Sequence, residues 1–121
     1  MSSISDSLNN LLALDGAMGC SIVDYESGMS LGALDISGEV DLELAAAGNS
    51  EVVKAKMETM ESLGIKGGID DVLITLDSQL HIIRPTSTIK GLFIYLVLDK
   101  SNANLALARR KVKDIEAKLV V

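Results

Sequence analysis

The sequence predicts one α/β domain, an α+β sandwich in which a five-stranded antiparallel sheet carries helices on both faces. The chain has 121 residues, which suits a single domain spanning residues 1–121. Helical and strand-like hydrophobic spacing follow one another in the order α-β-β-α-β-β-β-α. The segment from Gly91 to Leu98 is almost continuously apolar, which is typical of a central strand covered on both faces.

The first half of the chain predicts a short amphipathic helix, a β-hairpin and a long helix. The short helix follows from apolar residues at helical spacing, and the long one from a run rich in Ala, Leu, Glu, Met and Lys. Gly64 is well placed to end the long helix. The predicted elements are a helix that carries Ile4, Leu8, Leu11 and Leu12 and is ended by Asp15-Gly16, strands from Ala17 to Asp24 and from Met29 to Leu34, and a helix from Asp41 to Leu63.

The second half predicts three strands and a closing helix. If the strand from Gly91 to Leu98 is central, the first hairpin strand lies beside it. The Met29 and Asp70 strands are then the two edges of the sheet. The predicted elements are strands from Asp70 to Leu76, Gln79 to Arg84 and Gly91 to Leu98, and a helix from Ala103 to Leu119 with Ser101 or Asn102 as its cap.

The composition indicates an aliphatic core. Apolar residues make up 48% of the chain, with only two Tyr, one Phe and no Trp. A chain of this length buries roughly two-thirds of its unfolded surface, which is enough for a core without disulfides or metals. Few aromatic side chains also means few platforms on which bases or sugars could stack.

The long helix has more apolar surface than one sheet can cover. At about 100° per residue, one sector about 100° wide holds Glu43, Ser50, Glu51, Lys54, Glu58 and Glu61, whereas the remaining, mainly apolar arc spans roughly 220°. A helix on a single sheet needs an apolar stripe of only about 100°. The residues of the wide arc are mostly small, which lets backbones approach closely, so the pattern favours a second contact surface.

Two polar residues, Asn49 and Lys56, interrupt this arc. Lys56 can reach water with its charged end while its stem stays packed. Asn49 either bonds a nearby backbone group or fixes the register of a helix pair, as a lone buried Asn does in coiled coils. The sequence leaves both interpretations open.

The Asp70 strand also favours a second copy of the chain. An uncharged edge strand aggregates unless it is covered or paired, and the stretch from Val72 to Leu76 has no charge. A two-fold axis would pair this strand with its twin and bring the long helices together; loops or a terminal helix could cover the edge instead. The predicted homodimer interface consists of Leu42, Ala45, Ala46, Asn49, Val52, Val53, Lys56 and Met60 on the helix and Val72, Leu73, Ile74, Thr75 and Leu76 on the strand.

Charge argues against nucleic acid as a partner. The formal net charge is −6, so the chain gains nothing from releasing counterions at a phosphate backbone. Cations do cluster in the last helix, where they either form a solvated face suited to the helix dipole or a patch for an acidic protein. These cations are Arg109, Arg110, Lys111, Lys113 and Lys118.

The expected location is the cytoplasm, with no contact to a membrane. Cys20 is the only cysteine and cannot form an internal disulfide, which fits a reducing compartment. The residues from Met1 to Asp6 lack the cationic and apolar regions of a signal peptide. The longest apolar run, from Leu92 to Leu98, is too short to span a bilayer.

No pattern for catalysis, cofactor binding or metal binding emerges. His81 is the only histidine, with no second His to share a metal, and on an apolar strand it is expected to be structural. Pairing Cys20 with His81 as nucleophile and base has no support from spacing. The glycines form neither a dinucleotide-binding loop nor a P-loop, and Asp70 and Asp71 point to opposite faces of a strand. We therefore expect a protein that is not an enzyme.

Two segments resemble the roadblock/dynein light chain domain family in its prokaryotic branch. They are the stretch from Asn104 to Arg109, which opens the last helix after an apolar strand, and the strand from Leu80 to Pro85. The Leu44-Ala45-Ala46-Ala47 helix start also fits, while Ala106 stands where the family often has Gly. The resemblance implies a homodimer with side-by-side long helices and one continuous sheet, and a partner that is a small Ras-like GTPase. It implies no catalytic arginine, although Arg84, Arg109 and Arg110 are present.

The leading hypothesis is therefore a homodimeric module that regulates or scaffolds a Ras-like GTPase. A small-molecule sensor without catalysis is the alternative, since domains of this size can hold pockets, but the few aromatics and the scattered polar residues speak against it. A hydrolase with His81 as base is a third hypothesis. Fold analogy alone does not settle function.

Overall fold

The computed structural model describes all 121 residues, from Met1 to Val121, and confirms the predicted order of elements. None of the helices has the length and apolar character needed to cross a membrane. The elements are α1 (Ile4–Leu12), β1 (Ala17–Asp24), β2 (Met29–Asp35), α2 (Leu42–Leu63), β3 (Val72–Thr75), β4 (Gln79–Pro85), β5 (Leu92–Asp99) and α3 (Leu105–Lys118).

The five strands form one antiparallel sheet in the spatial order β2-β1-β5-β4-β3. Strand β5 is central, as its apolar run predicts, and every residue from Leu92 to Leu98 is buried. The predicted edges, β2 and β3, are also confirmed. Strand β3 is therefore the only edge that directly follows the long helix in sequence.

Two apolar cores lie on opposite faces of the sheet. Helices α1 and α3 cover one face, where Leu11, Ile94 and Val112 belong to the larger core. Helix α2 covers the other face, where Val53, Phe93 and Tyr95 belong to the smaller core. This gives the three layers that a doubly covered central strand requires.

Local signals account for the ends of the helices. Asp41 caps α2 by accepting a hydrogen bond from the backbone N–H of Leu44, and Gly64 ends the helix in the left-handed conformation at φ 71°. The predicted cap of α3 is wrong: Asn104, not Ser101 or Asn102, accepts from the N–H of Leu107. Ser101 and Asn102 instead bond the Asp99 carboxylate and tighten the turn before the helix, and so α3 begins at Leu105.

Strand β3 is shorter than predicted, because neither end of the Asp70–Leu76 segment belongs to its ladder. At the start, Asp70 and Asp71 form ion pairs with arginines of β4 and α3. These two aspartates therefore tie the chain between α2 and β3 to strand β4 and helix α3.

Candidate dimer interface

The inward side of α2 packs on the sheet. Leu42, Ala46, Ser50 and Val53 are buried there, and the Ser50 hydroxyl donates a hydrogen bond to the carbonyl of Ala46 at 2.6 Å. The sequence placed Ser50 in the charged sector and the other three in the dimer interface. In the structure Leu42, Ala46 and Val53 belong to the protomer's own core, so those three predictions need correction.

A second side of α2, turned away from the sheet, is mostly exposed and carries no charge except that of Lys56. Exposed fractions are 71% for Leu44, 41% for Val52 and 66% for Leu63. Between these, Gly48 and Ala55 are exposed and add no bulk. We call this side of the helix the outer α2 face, and it consists of Leu44, Ala45, Gly48, Val52, Ala55, Lys56, Thr59 and Leu63.

The flanks of α2 point toward different strands. Glu43 shares a cleft with Met29 and Ser30 of edge strand β2, which places the charged flank on the β2 side. On the other flank, Asn49 faces the hydroxyl of Tyr95 on β5. The outer α2 face therefore continues the flank that is turned toward the β4–β3 side of the sheet.

The edge strand β3 is half covered. Val72 and Ile74 pack at the border of the α2-side core, whereas Leu73 packs on the α1–α3 side. Thr75 is exposed, and Leu76 is 44% exposed just after the strand. Because β3 pairs only with β4, its second edge offers backbone groups for another strand.

Three polar side chains on the α2 side of the sheet form a hydrogen-bonded chain from β5 to β4. The Tyr95 hydroxyl lies 2.9 Å from Nδ1 of His81, and Nε2 of His81 lies 2.9 Å from Oε1 of Gln79. Because Oε1 can only accept, this arrangement fits a neutral imidazole with its proton on Nε2. Burial lowers the pKa of His81 and raises that of Tyr95, so both groups stay neutral near pH 7. The buried Nδ2 of Asn49 makes no hydrogen bond of normal geometry.

Cys20 and His81 lie on opposite faces of the sheet. Cys20 belongs to the α1–α3 core, and its thiol donates a weak hydrogen bond to the Leu8 carbonyl at 3.5 Å. Burial raises the pKa of this thiol to about 12, so the reactive thiolate is scarce near neutrality. A nucleophile–base pair from these two residues is geometrically impossible. The chain also brings no three His, Cys, Asp or Glu side chains together as a metal site.

Two arginines, Arg84 and Arg109, hold the segment before β3 through ion pairs that the sequence did not predict. Arg84 bonds Glu116 of α3 and the backbone carbonyl of Asp70, each at 3.2 Å. Arg109 of α3 makes a two-pronged pair with Asp71 at 2.9 and 3.0 Å. These contacts fix the start of the edge strand relative to α3.

The remaining predicted interface residues are available at the surface to different degrees. Val52, Lys56, Thr75 and Leu76 are exposed, while Ala45, Asn49, Met60, Val72, Leu73 and Ile74 are half-buried. Sequence reasoning did not assign Leu44, Gly48, Ala55, Thr59 or Leu63 to the interface. The outer α2 face could have been identified from its spacing, because steps of three and four residues alternate along it, as they do where two helices pack together. The residues at these steps are Ala45, Gly48, Val52, Ala55 and Thr59.

Solved structures provide the informative comparisons. No protein-family model matches the sequence, and no curated protein matches it at a significant level. The fold is similar to that of Myxococcus xanthus MglB, with a TM-score of 0.82, 14% identity and coverage of 94% of this chain and 89% of that one. It is also similar to a roadblock/LC7 domain from Streptomyces avermitilis, with a TM-score of 0.78, 14% identity and coverage of 96% and 93%.

A third structure, MglC from Myxococcus xanthus, is similar with a TM-score of 0.62, 20% identity and coverage of 95% of this chain and 94% of that one. Another, with a TM-score of 0.79 and 16% identity, is described as MglB with a tetrameric arrangement. At these identities the similarity establishes the fold, and the resemblance to roadblock proteins is confirmed at that level.

Proposed function

We propose that this chain, which has the fold of the prokaryotic roadblock/LC7 proteins, is a cytoplasmic homodimeric binding module that regulates or scaffolds a small Ras-like GTPase and performs no chemistry of its own. Two observations carry the proposal: the outer α2 face is exposed, and the second edge of β3 has no partner strand. A lone protomer leaves both surfaces in water.

One two-fold axis perpendicular to the sheet covers both surfaces. Antiparallel pairing of β3 with its twin fills the open edge and joins two five-stranded sheets into one. The same operation brings the outer α2 faces together above the joined edge. Gly48 and Ala55 let the two helices approach closely, while Val52 supplies apolar area. A stable interface of this kind buries more than about 1,000 Å² in total.

The assignment of a GTPase partner rests on the resemblance of the Asn104–Arg109 stretch to the roadblock family and on the fold shared with MglB. In this proposal the regulator supplies no catalytic arginine, although Arg110 is exposed and forms no ion pair. Arg84 is held by Glu116 and Asp70, and Arg109 by Asp71. Regulation in this proposal works by binding and reshaping the GTPase's own site.

The first test is the oligomeric state. Sedimentation velocity at micromolar concentration should show a dimer of the 12.8 kDa chain. A single monomeric species across the concentration range would contradict the proposal at its base.

The second test concerns the partner. The small Ras-like GTPases encoded in the same genome are purified and loaded with GDP or a non-hydrolysable GTP analogue. Capture by the purified dimer should depend on the nucleotide, and hydrolysis or exchange should change when the dimer is added. A dimer that binds none of them in either state would overturn the GTPase assignment while leaving the dimer intact.

A further inference from the structure

The outward side of α3 carries a concentration of positive charge. Arg110, Lys111, Lys113 and Lys118 are all exposed, and none forms an ion pair. The only exposed carboxylate on this helix is Asp114, because the other is buried against Arg84. A chain with a net charge of −6 thus presents a concentrated positive surface opposite the α2 layer.

The helix dipole does not account for this charge. The favourable interaction of a cation with a helix C-terminus falls off within the last turn. Lys118 is the only basic residue in the last turn of α3. The dipole therefore accounts for Lys118 alone, and Arg110, Lys111 and Lys113 are exposed cations that a partner could contact.

An open cleft of about 410 Å³ lies between α1 and α3, directly beside these cations. Lys111 and Lys118 form part of the α3 wall, together with Asp114, and Asn10 stands on the α1 wall. Ile115 contributes apolar lining from α3. The cleft thus combines positive charge, an amide group and an apolar surface.

The two ends of the chain close one end of the cleft. The backbone N–H of Ser2 donates to the carbonyl of Lys118 at 2.6 Å, and the N–H of Val120 donates to the carbonyl of Ser2 at 2.8 Å. These two hydrogen bonds fix the end of α3 relative to the start of α1. A cleft formed in advance loses less entropy when it is occupied.

We propose that the α1–α3 cleft and its cationic rim bind an acidic segment of a partner protein, one that carries carboxylates next to an aliphatic side chain. The carboxylates of the segment would form ion pairs with Lys111, Lys118 and Arg110, and its aliphatic side chain would pack on Ile115 in the cleft. The surface is unsuited to insertion into a bilayer, since the apolar stripe of α3, including Ala108 and Val112, is buried in the core.

The site belongs to the protomer and does not require the proposed dimer. If the dimer forms as described above, the two-fold axis places both clefts on the same face, opposite α2. A partner with two acidic segments could then bind both clefts at once and gain avidity.

The test uses the full chain and a short fluorescein-labelled peptide in which glutamate and leucine alternate. Fluorescence anisotropy should show saturable binding, with little binding of the same peptide carrying glutamine in place of glutamate. The variant Lys111→Glu/Lys118→Glu should bind roughly tenfold more weakly. The matched control is Lys66→Glu/Lys90→Glu, which changes net charge equally at exposed lysines elsewhere and should bind as the unmodified protein does.

Thermal unfolding checks that the variants are folded, and Lys111→Gln/Lys118→Gln repeats the comparison without charge reversal at the helix end. Equal weakening in the cleft variant and the control would overturn the proposal, because it would show attraction by net charge alone. Equal binding of the glutamine peptide, or no binding of either peptide, would also overturn it. So would binding to phosphatidylcholine–phosphatidylserine vesicles that depends on Lys111 and Lys118 while the peptide fails to bind, since the surface would then recognise a membrane.

Discussion

Nε of Arg84 lies 3.2 Å from Oε1 of Glu116, and the two side chains are only 10% and 3% exposed. They join strand β4 to helix α3 across 32 residues of sequence. Ser87 donates a further hydrogen bond to the same carboxylate at 3.3 Å. The pair therefore connects the sheet to the layer that carries the cationic surface.

Removing one member of this pair should destabilise the fold strongly. Arg84→Met leaves the Glu116 carboxylate buried without its partner, and we expect a loss of about 3–5 kcal/mol in the free energy of unfolding measured in urea. The double variant Arg84→Met/Glu116→Leu should recover most of the loss, because no charge is then left buried. Lys54→Ala is the control; it breaks the exposed Glu51–Lys54 pair and should cost less than about 1 kcal/mol. A double variant as unstable as the single one would contradict this account.

His81 should make the protein less stable in mild acid. Burial lowers its folded pKa below the ordinary value of 6.5. As pH falls through 6.5, the unfolded chain takes up a proton that the folded chain does not, so unfolding is favoured. Urea unfolding at pH 7 and pH 5 should show a smaller loss for His81→Gln than for the unmodified chain. Since His81 is the only histidine, equal losses in both proteins would refute the prediction.

Gly16 and Gly38 offer a matched pair of glycine substitutions. Both have positive φ, 80° and 72°, so alanine is strained by about 1–2 kcal/mol at either position. At Gly16 a Cβ would also lie 3.0 Å from the backbone N of Ala103 and 3.1 Å from the carbonyl oxygen of Asp99, whereas at Gly38 nothing lies within 4 Å. Gly16→Ala should therefore lower the urea midpoint clearly more than Gly38→Ala. Equal shifts of the urea midpoint would contradict the prediction, because they would mean that the turn before β1 accommodates the extra methyl group without losing stability.

Val52→Glu should convert the proposed dimer into monomers. It places a carboxylate on the outer α2 face, next to the two-fold axis of the proposed dimer. The same carboxylate of the second protomer would lie close to it and repel it. Ala47→Glu adds the same charge at an exposed position on the charged flank near Gly28, and should leave the dimer intact. Sedimentation velocity of both variants at equal concentration distinguishes the two results. Loss of the dimer in both, or in neither, would place the interface elsewhere.

Local signals in the sequence determined the order of elements, the central strand and both edges of the sheet. Alternating and helical periodicity are properties of neighbouring residues, and the continuous apolar run from Leu92 to Leu98 is typical of a strand covered on both sides. The end of α2 at Gly64 followed from the left-handed conformation that glycine adopts readily. These features needed no knowledge of distant contacts.

Only the tertiary structure decided which side of α2 meets the sheet. Its uncharged arc is wide enough for several orientations, and burial of Ser50 with Ala46 and Val53 selected one of them. The pairs Arg84–Glu116 and Arg109–Asp71 join residues 32 and 38 positions apart, and no local pattern relates such positions. Hydrophobic spacing specifies what must be buried, whereas the packing of the three layers determines which surfaces remain free for a partner.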